Sequence, residues 1–376
     1  MFELALHYYI IYALLMIGMS IYSVQLFYTR GYLVRTSATT PRILFCVLLL
    51  LIVFGATGDY WSYRGWYDYG YENLHFEPIW ENLRDLIPWG FDVFKLILWG
   101  GCLCLFTIMC RWSRSDLLVS FSLFALFYMS NYSYARATVA YMLLLFAYYL
   151  FVRVKEKNTC HRILMLSLIA ICIWIGVQLH RSMPMLMAIM IAAMFLRPRK
   201  KTFTALLVLF PIISIVFNTI LYPYILVNSS GDADVSRLRE VYLFEDSRGL
   251  NAFIRQLILH LPMLLLFFVS FINILKKKVA LGVVRDIAFL AFMIIYFAFI
   301  FYTIREGNGL VLFYRTINMA YPFMIMSIAY SIKYSNNIRN LTLVVVIYQV
   351  LFTFLVMFQI LSNPDYLYNQ VFERYF

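Results

Sequence analysis

The segment ILMLSLIAICIWIGVQLHRSMPMLMAIMIAAMFL, residues 163–196, decides the fold class. Two apolar runs, 163–179 and 182–196, flank one charged step, His180-Arg181. Each run is near the ~17 residues a helix needs to cross the apolar slab of a bilayer, and neither alternates as a strand would. With almost nothing between them, the second run must turn back on the first. The segment reads as a helical hairpin in a membrane with a histidine and an arginine at its tip.

The rest of the chain repeats that pattern. Of 376 residues, 63% are hydrophobic and 13% charged, and the mean hydropathy is +0.79. Soluble domains carry about 25% charged residues, so the composition excludes one. The first apolar run, Leu4 to Tyr28, is longer than a signal peptide's core and lacks a small-residue cleavage site, and reads as a retained helix. Breaking the chain at charges and turn residues predicts twelve spans. These are 4–28, 43–58, 90–110, 117–133, 137–152, 163–179, 182–196, 203–227, 256–275, 287–303, 316–332 and 341–361. The expected fold is an all-α polytopic membrane protein, one integral membrane domain over 1–376, with its extramembrane parts in 59–89 and 228–255. The six cysteines show neither zinc-site spacing nor a disulfide framework.

The loops alternate in charge. Loops 29–42, 111–116, 153–162, 197–202, 276–286 and 333–340 hold 19 Lys/Arg against three acids. The remaining loops and both termini hold 11 basic residues and 15 acids. The positive-inside rule makes the first group cytoplasmic and puts both termini outside, consistent with an even span number. The net charge of +12 then reflects loops meeting anionic lipid, and no nucleic-acid partner is expected. All eleven outer basic residues are arginine, whereas eight of the nine lysines are cytoplasmic and the ninth, Lys95, lies in a span. Arginine's rigid fork matches phosphate oxygens bidentately, so the bias reads as selection for anion contact, with codon preference as the plain alternative.

The first outer loop, DYWSYRGWYDYGYENLHFEPIWENLRDLIPW (59–89), has six acids and two arginines among many Tyr and Trp residues. Aromatic faces with carboxylates suit sugars, and an interfacial aromatic belt is the competing reading. Within it EPIWENLRDLI places Ile79, Trp80, Leu83, Leu86 and Ile87 on one helical face, with Pro78 as first helical residue. A short amphipathic helix at the membrane surface is predicted, as a lid or as a strut. The second loop, from Asn228, is Gly/Ser/Asp-punctuated, and Arg255 follows it.

Arg136, Arg181, Arg255 and Arg315 all fall at outer span ends, with Arg305 just before the last. Ionisable residues at membrane depth usually face a protein-lined cavity, so one wet pocket shared by these arginines is expected, with snorkelling to lipid phosphates as the alternative. Clustered guanidinium groups beside a histidine and an acidic aromatic loop suggest a lipid-diphosphate site with a sugar site above it. His180 is the candidate general base, and Asp59 and Glu77 are its rivals.

At these residues the chain resembles the EpsG family of bacterial polysaccharide polymerases, relatives of the Wzy polymerases. The likeness rests on GDYWSYRGWY followed by EPIW, on YARATVAY, on LHRSMPML and on YRTINMAYPF, and spans most of the chain. The family pattern often has Arg-Gln where this chain has Arg136-Ala137. The resemblance implies a GT-C-like enzyme of the bacterial cytoplasmic membrane, with its active site outside. It would transfer a growing glycan from undecaprenyl diphosphate to a sugar hydroxyl of an incoming lipid-linked repeat unit. His180, Arg136, Arg181 and Arg315 would then act in catalysis, and Asp59, Tyr63, Glu77, Arg255, Arg305 and Tyr321 would bind substrate. The expected partners are the lipid-linked oligosaccharide, membrane lipid and a chain-length regulator protein. No cofactor is implied: GxGxxG and GxxxxGK are absent. Asp59 with Glu77 could hold a divalent metal, but the arginine surplus makes one unnecessary. Rival readings are a flippase or transporter of lipid-linked glycans, a membrane O-acyltransferase using His180, and a ligase with another acceptor.

Overall fold

The computed structural model describes residues 2–29, 39–55, 60–70, 77–128, 136–154, 159–180, 182–196, 198–221, 250–276, 282–302 and 309–362. Helix is the only regular secondary structure among them, as a bilayer demands of a chain that must satisfy its own backbone hydrogen bonds. The helices are α1 (Phe2–Thr29), α2 (Thr39–Phe54), α3 (Tyr60–Tyr69), α4 (Pro78–Leu86), α5 (Phe91–Trp112), α6 (Leu117–Leu123) and α7 (Arg136–Val154). They continue as α8 (Thr159–Leu179), α9 (Met183–Leu196), α10 (Lys200–Val216), α11 (Leu250–Lys276), α12 (Gly282–Tyr302), α13 (Gly309–Ser331) and α14 (Asn336–Ser362). Wide π turns extend α6 over Phe124–Tyr128 and α10 over Phe217–Leu221.

Among the described residues, six helices are long and apolar enough to cross a membrane: α5, α7, α8, α10, α12 and α14. Five shorter apolar helical stretches accompany them, in α1, α2, α6 with its π turn, α9 and α11. Each predicted span overlaps a helix, but the ends differ. Helix α11 begins at Leu250 and α13 at Gly309, six and seven residues before the apolar runs expected there. A polar residue ends a hydropathy run without ending a helix, because the backbone ladder continues wherever φ and ψ allow. Pro211, Pro262 and Pro322 likewise sit inside helices. The residues 228–249 of the second predicted outer loop lie outside the described residues.

The chain divides into two units, Met1–Met187 with Ile325–Phe376, and Ala188–Met324. In the first, α7 packs most extensively on α8, and α5 lies against both α2 and α7. Polar contacts bind the 113–116 turn to the C-terminal part of α13 and to the short turn that follows it. Ser115 Oγ donates to the Met326 carbonyl at 3.0 Å, and Lys333 Nζ donates to the Arg114 carbonyl at 2.8 Å. Asp116 caps α6, accepting from the Leu118 and Val119 amides at 3.0 and 3.3 Å.

Lys95 is fully buried on α5. Its ammonium donates to the Val53 and Gly55 carbonyls at the end of α2 and pairs with Asp92 at 3.3 Å. A cation at a helix C-terminus meets both the orphan carbonyls and the negative end of the macrodipole. The lysine that the sequence places within a span is thereby explained as a helix clamp.

The second unit is built around α12. Of its span 78% is buried, against 11% for α10, so α12 is central and α10 leaves most of its apolar surface exposed. Phe271 and Phe292 stack at 5.4 Å, with Phe203 edge-on to Phe292 at 5.0 Å, and Tyr296 donates to the Leu206 carbonyl at 3.0 Å.

Candidate functional site

Residues 60–67 of GDYWSYRGWY, read from sequence only as an aromatic loop, lie in α3. Tyr63 and Trp66, three apart, face inward, and Arg64 pairs with Asp68 at 3.2 Å along the outer face. Tyr67 donates to the Ile87 carbonyl and accepts from the Gly90 amide at 3.1 Å, joining the end of α4 to the start of α5. Gly90 has φ +98, a left-handed conformation that suits glycine. Tyr63, Trp66, Trp80, Phe94 and Trp99 then form one ring cluster, with neighbouring centroids 6.1 to 6.4 Å apart. Trp80 and Trp99 are 0% exposed. Tyr63, Trp66 and Trp80, from the loop whose aromatics were expected to stack on sugars, are interior packing between α3, α4 and α5. Among the described aromatics of this loop, Tyr69 and Trp89 are exposed.

Helix α4 forms where EPIWENLRDL predicted it, with Pro78 in the first turn. Trp80 and Ile87 of its apolar face are buried, but Leu86 is exposed. Glu77 stands at the N-cap position in extended conformation and makes no capping hydrogen bond. Its carboxylate instead meets Arg136 Nη1 at 2.5 Å. One turn along, the Trp80 indole donates to the Leu179 carbonyl at 2.9 Å. Glu77 and Trp80 are spaced i, i+3 and share a face, so α4 fastens simultaneously to the first residue of α7 and the last of α8. The strut reading of α4 therefore has a specific physical basis.

The α7–α8 hairpin sets the spacing of those two anchors. A Cβ at Gly176 would lie 3.1 Å from the Ala140 carbonyl, so the helices approach as closely as glycine permits. Gly176 is three residues from Leu179 and Ala140 four from Arg136, which brings Arg136 level with His180. The Arg136 backbone amide also donates to the Tyr63 hydroxyl at 3.2 Å, so Tyr63, expected as a substrate ligand, holds Arg136 in place. Arg136 and Glu77 keep part of their surface accessible, at 23% and 12% of their side chains.

His180 follows α8 and is half-buried. Its Nδ1 accepts the Ser182 backbone amide at 3.1 Å and lies 2.7 Å from the Ser182 hydroxyl. The ring is thus held by its own turn.

In the second unit, Arg315 is exposed on α13, and Tyr321, two turns further on, is buried. His260 Nδ1 and the Tyr321 hydroxyl are 2.8 Å apart, joining α11 to α13 inside the helix packing. Arg255 lies on α11 and its side chain is outside the described set, while Asp59, Arg181 and Arg305 lie outside the described residues altogether. The residues brought together in the first unit are therefore Tyr63, Glu77 and Arg136, and His180 directly follows Leu179, whose carbonyl α4 also holds. Sequence reasoning missed the Trp80 indole as the anchor of α4 and His260 as the partner of Tyr321. The i, i+3 spacing of Glu77 and Trp80 pointed to the first, and nothing pointed to the second. Among the described residues no group of three His, Cys, Asp or Glu side chains is gathered as metal ligands would be.

An accessible guanidinium and an imidazole at the same end of a helical hairpin can hold an anion against a neighbouring hydroxyl. Residues 60–67, 77–80, 136 and 179–180 at this end belong to four of the five motifs that carry the sequence resemblance. No curated protein and no solved structure matches the chain. A family model does match, over residues 39–373, and the chain belongs to the EpsG family, a family of Wzy-type polymerases, as a membrane protein of the polysaccharide-polymerase kind.

Proposed function

We propose that the protein polymerises lipid-linked oligosaccharide repeat units. It transfers a growing glycan from undecaprenyl diphosphate to a sugar hydroxyl of an incoming unit during assembly of a surface polysaccharide. In this reading twelve helices cross the cytoplasmic membrane in a GT-C-like arrangement, and both termini and the site face outward. The observation that supports it best is the joint between α4, α7 and α8, where Arg136 and His180 come level from opposite arms of one hairpin.

When the bond from the anomeric carbon to the diphosphate breaks, negative charge grows on the departing oxygen. A guanidinium already held in place interacts with that charge more strongly in the transition state than in the ground state. Glu77 and Tyr63 orient Arg136 before substrate arrives, and bidentate geometry makes arginine a better partner than lysine. Arg181, Arg255, Arg305 and Arg315 are proposed as further anion ligands, each tested by its own lysine variant. Asp59 is proposed for the acceptor sugar, and a chain-length regulator is the proposed protein partner.

The deciding experiment is deletion of the gene followed by sizing of surface glycans. Single repeat units on the surface support the polymerase. Repeat units trapped on the cytoplasmic side overturn it in favour of a flippase, and full-length unattached chains in favour of a ligase. An unchanged length distribution with lost acyl groups points instead to an O-acyltransferase.

A further inference from the structure

The contact between His180 and Ser182 points to a role for His180 other than that of base, resting on the polymerase reading. We infer that His180 acts as a neutral hydrogen-bond donor to the departing diphosphate oxygen, through Nε2–H, and keeps its proton throughout. A backbone N–H cannot reverse its direction, so the Ser182 amide at 3.1 Å requires a lone pair on Nδ1. The Ser182 hydroxyl lies 2.7 Å from the same atom and can share that lone pair as a donor. The neutral ring then carries its hydrogen on Nε2, because the tautomer follows from the bond made by the other nitrogen. In that tautomer Nε2 has no lone pair to take a proton from an attacking hydroxyl, and Nδ1 is engaged.

A doubly protonated ring is disfavoured by the same contact, since it would set an Nδ1–H against the Ser182 N–H. His180 is therefore built as a fixed donor at the end of the hairpin that carries Arg136. The transfer balances without it as an acid or a base. The anomeric C–O(phosphate) bond breaks with its electrons going to the diphosphate, the new glycosidic C–O bond forms, and the acceptor's proton passes to a carboxylate. Glu77, which keeps part of its surface accessible beside Arg136, is the carboxylate at hand. Removal of one such donor slows comparable reactions about 10²–10³-fold.

Three variants separate the possibilities. In His180→Gln the amide NH₂ stands where Nε2–H stood. In His180→Asn the amide oxygen can still accept the Ser182 N–H, but no donor reaches the Nε2 position. His180→Ala has neither. Elongation is measured with purified protein in liposomes, on lipid-linked single repeat units extracted from the deletion strain. The expected order is His180→Gln at least tenfold faster than His180→Asn, with Asn and Ala reduced about 10²–10³-fold from wild type. Equal loss in Gln and Asn, as for a base, overturns the inference. So does a faster Asn variant, as for a purely structural turn. Nitrogen-15 spectra of histidine-labelled protein, assigned by difference with His180→Gln, give an independent reading. The Nε2–H tautomer is expected, and an Nδ1–H ring refutes the donor role even where wild type elongates. Failure of wild type to elongate those units refutes the polymerase reading itself.

Discussion

The Glu77–Arg136 pair sets the position of the guanidinium on which the proposed chemistry depends, and its strength can be worked from its setting. The side chains are 12% and 23% exposed and meet at 2.5 Å, so water screens them only in part. Opposite unit charges about 4 Å apart at an effective dielectric near 20 attract by about 4 kcal/mol. Desolvation and side-chain ordering offset much of that, leaving a coupling of about 1–3 kcal/mol. Glu77→Gln should therefore loosen α4 by about 2 kcal/mol, because Arg136 loses its counter-charge and Trp80 remains the other described anchor. At ~1.4 kcal/mol per tenfold, local opening becomes roughly 30-fold more frequent. The assay is hydrogen exchange by mass spectrometry on peptides covering residues 78–87, in nanodiscs. Arg136→Gln should show a similar acceleration, and the double variant should fall short of the sum by 1–3 kcal/mol. Additivity within about 0.5 kcal/mol, or unchanged exchange in Glu77→Gln, would refute the claim that this pair docks α4.

The other predictions concern the same scaffold. Trp80→Phe keeps the ring packing but strands the Leu179 carbonyl, which costs about 1–3 kcal/mol and should accelerate exchange at 78–87 and 177–180 but not within α12. Gly176→Leu cannot fit against the Ala140 carbonyl, so spin-label distances between the ends of α7 and α8 should widen and glycan chain length should collapse. Lys95→Met leaves two carbonyls at the end of α2 without their donor and should lower stability in detergent by about 1–3 kcal/mol, read as a lower unfolding midpoint. Arg136→Lys should insert normally and keep an ion pair with Glu77, yet abolish long-chain glycan because the fork is lost; full-length chains in that variant would remove the bidentate contact from the mechanism.

Much of the molecule was legible in the sequence. Apolar runs marked where helices form, since in a bilayer a long hydrophobic segment has few other ways to satisfy its backbone. Pro78 and the 3.6-residue spacing after it located α4 closely. Helix ends were less legible, as α11 and α13 illustrate, because charged residues continue a helical ladder that hydropathy treats as finished. Helix α3 was missed because its aromatic and polar residues resemble an interfacial loop until their inward faces find Phe94 and Trp99.

For the candidate site the division is sharper. Sequence alone determined the residue types and the order of the motifs, and singled out Glu77, Arg136 and His180. Their partnership was decided by tertiary structure. Two helices that touch at Gly176, and a third laid across their ends by Trp80, bring together residues up to a hundred positions apart. The sense of His180 was settled more locally still, by one backbone amide two residues on. Composition and periodicity report how a residue meets solvent or lipid. Which acceptor faces which donor depends on coordinates, because hydrogen bonds and ion pairs act over distances far shorter than the separation of those residues along the chain.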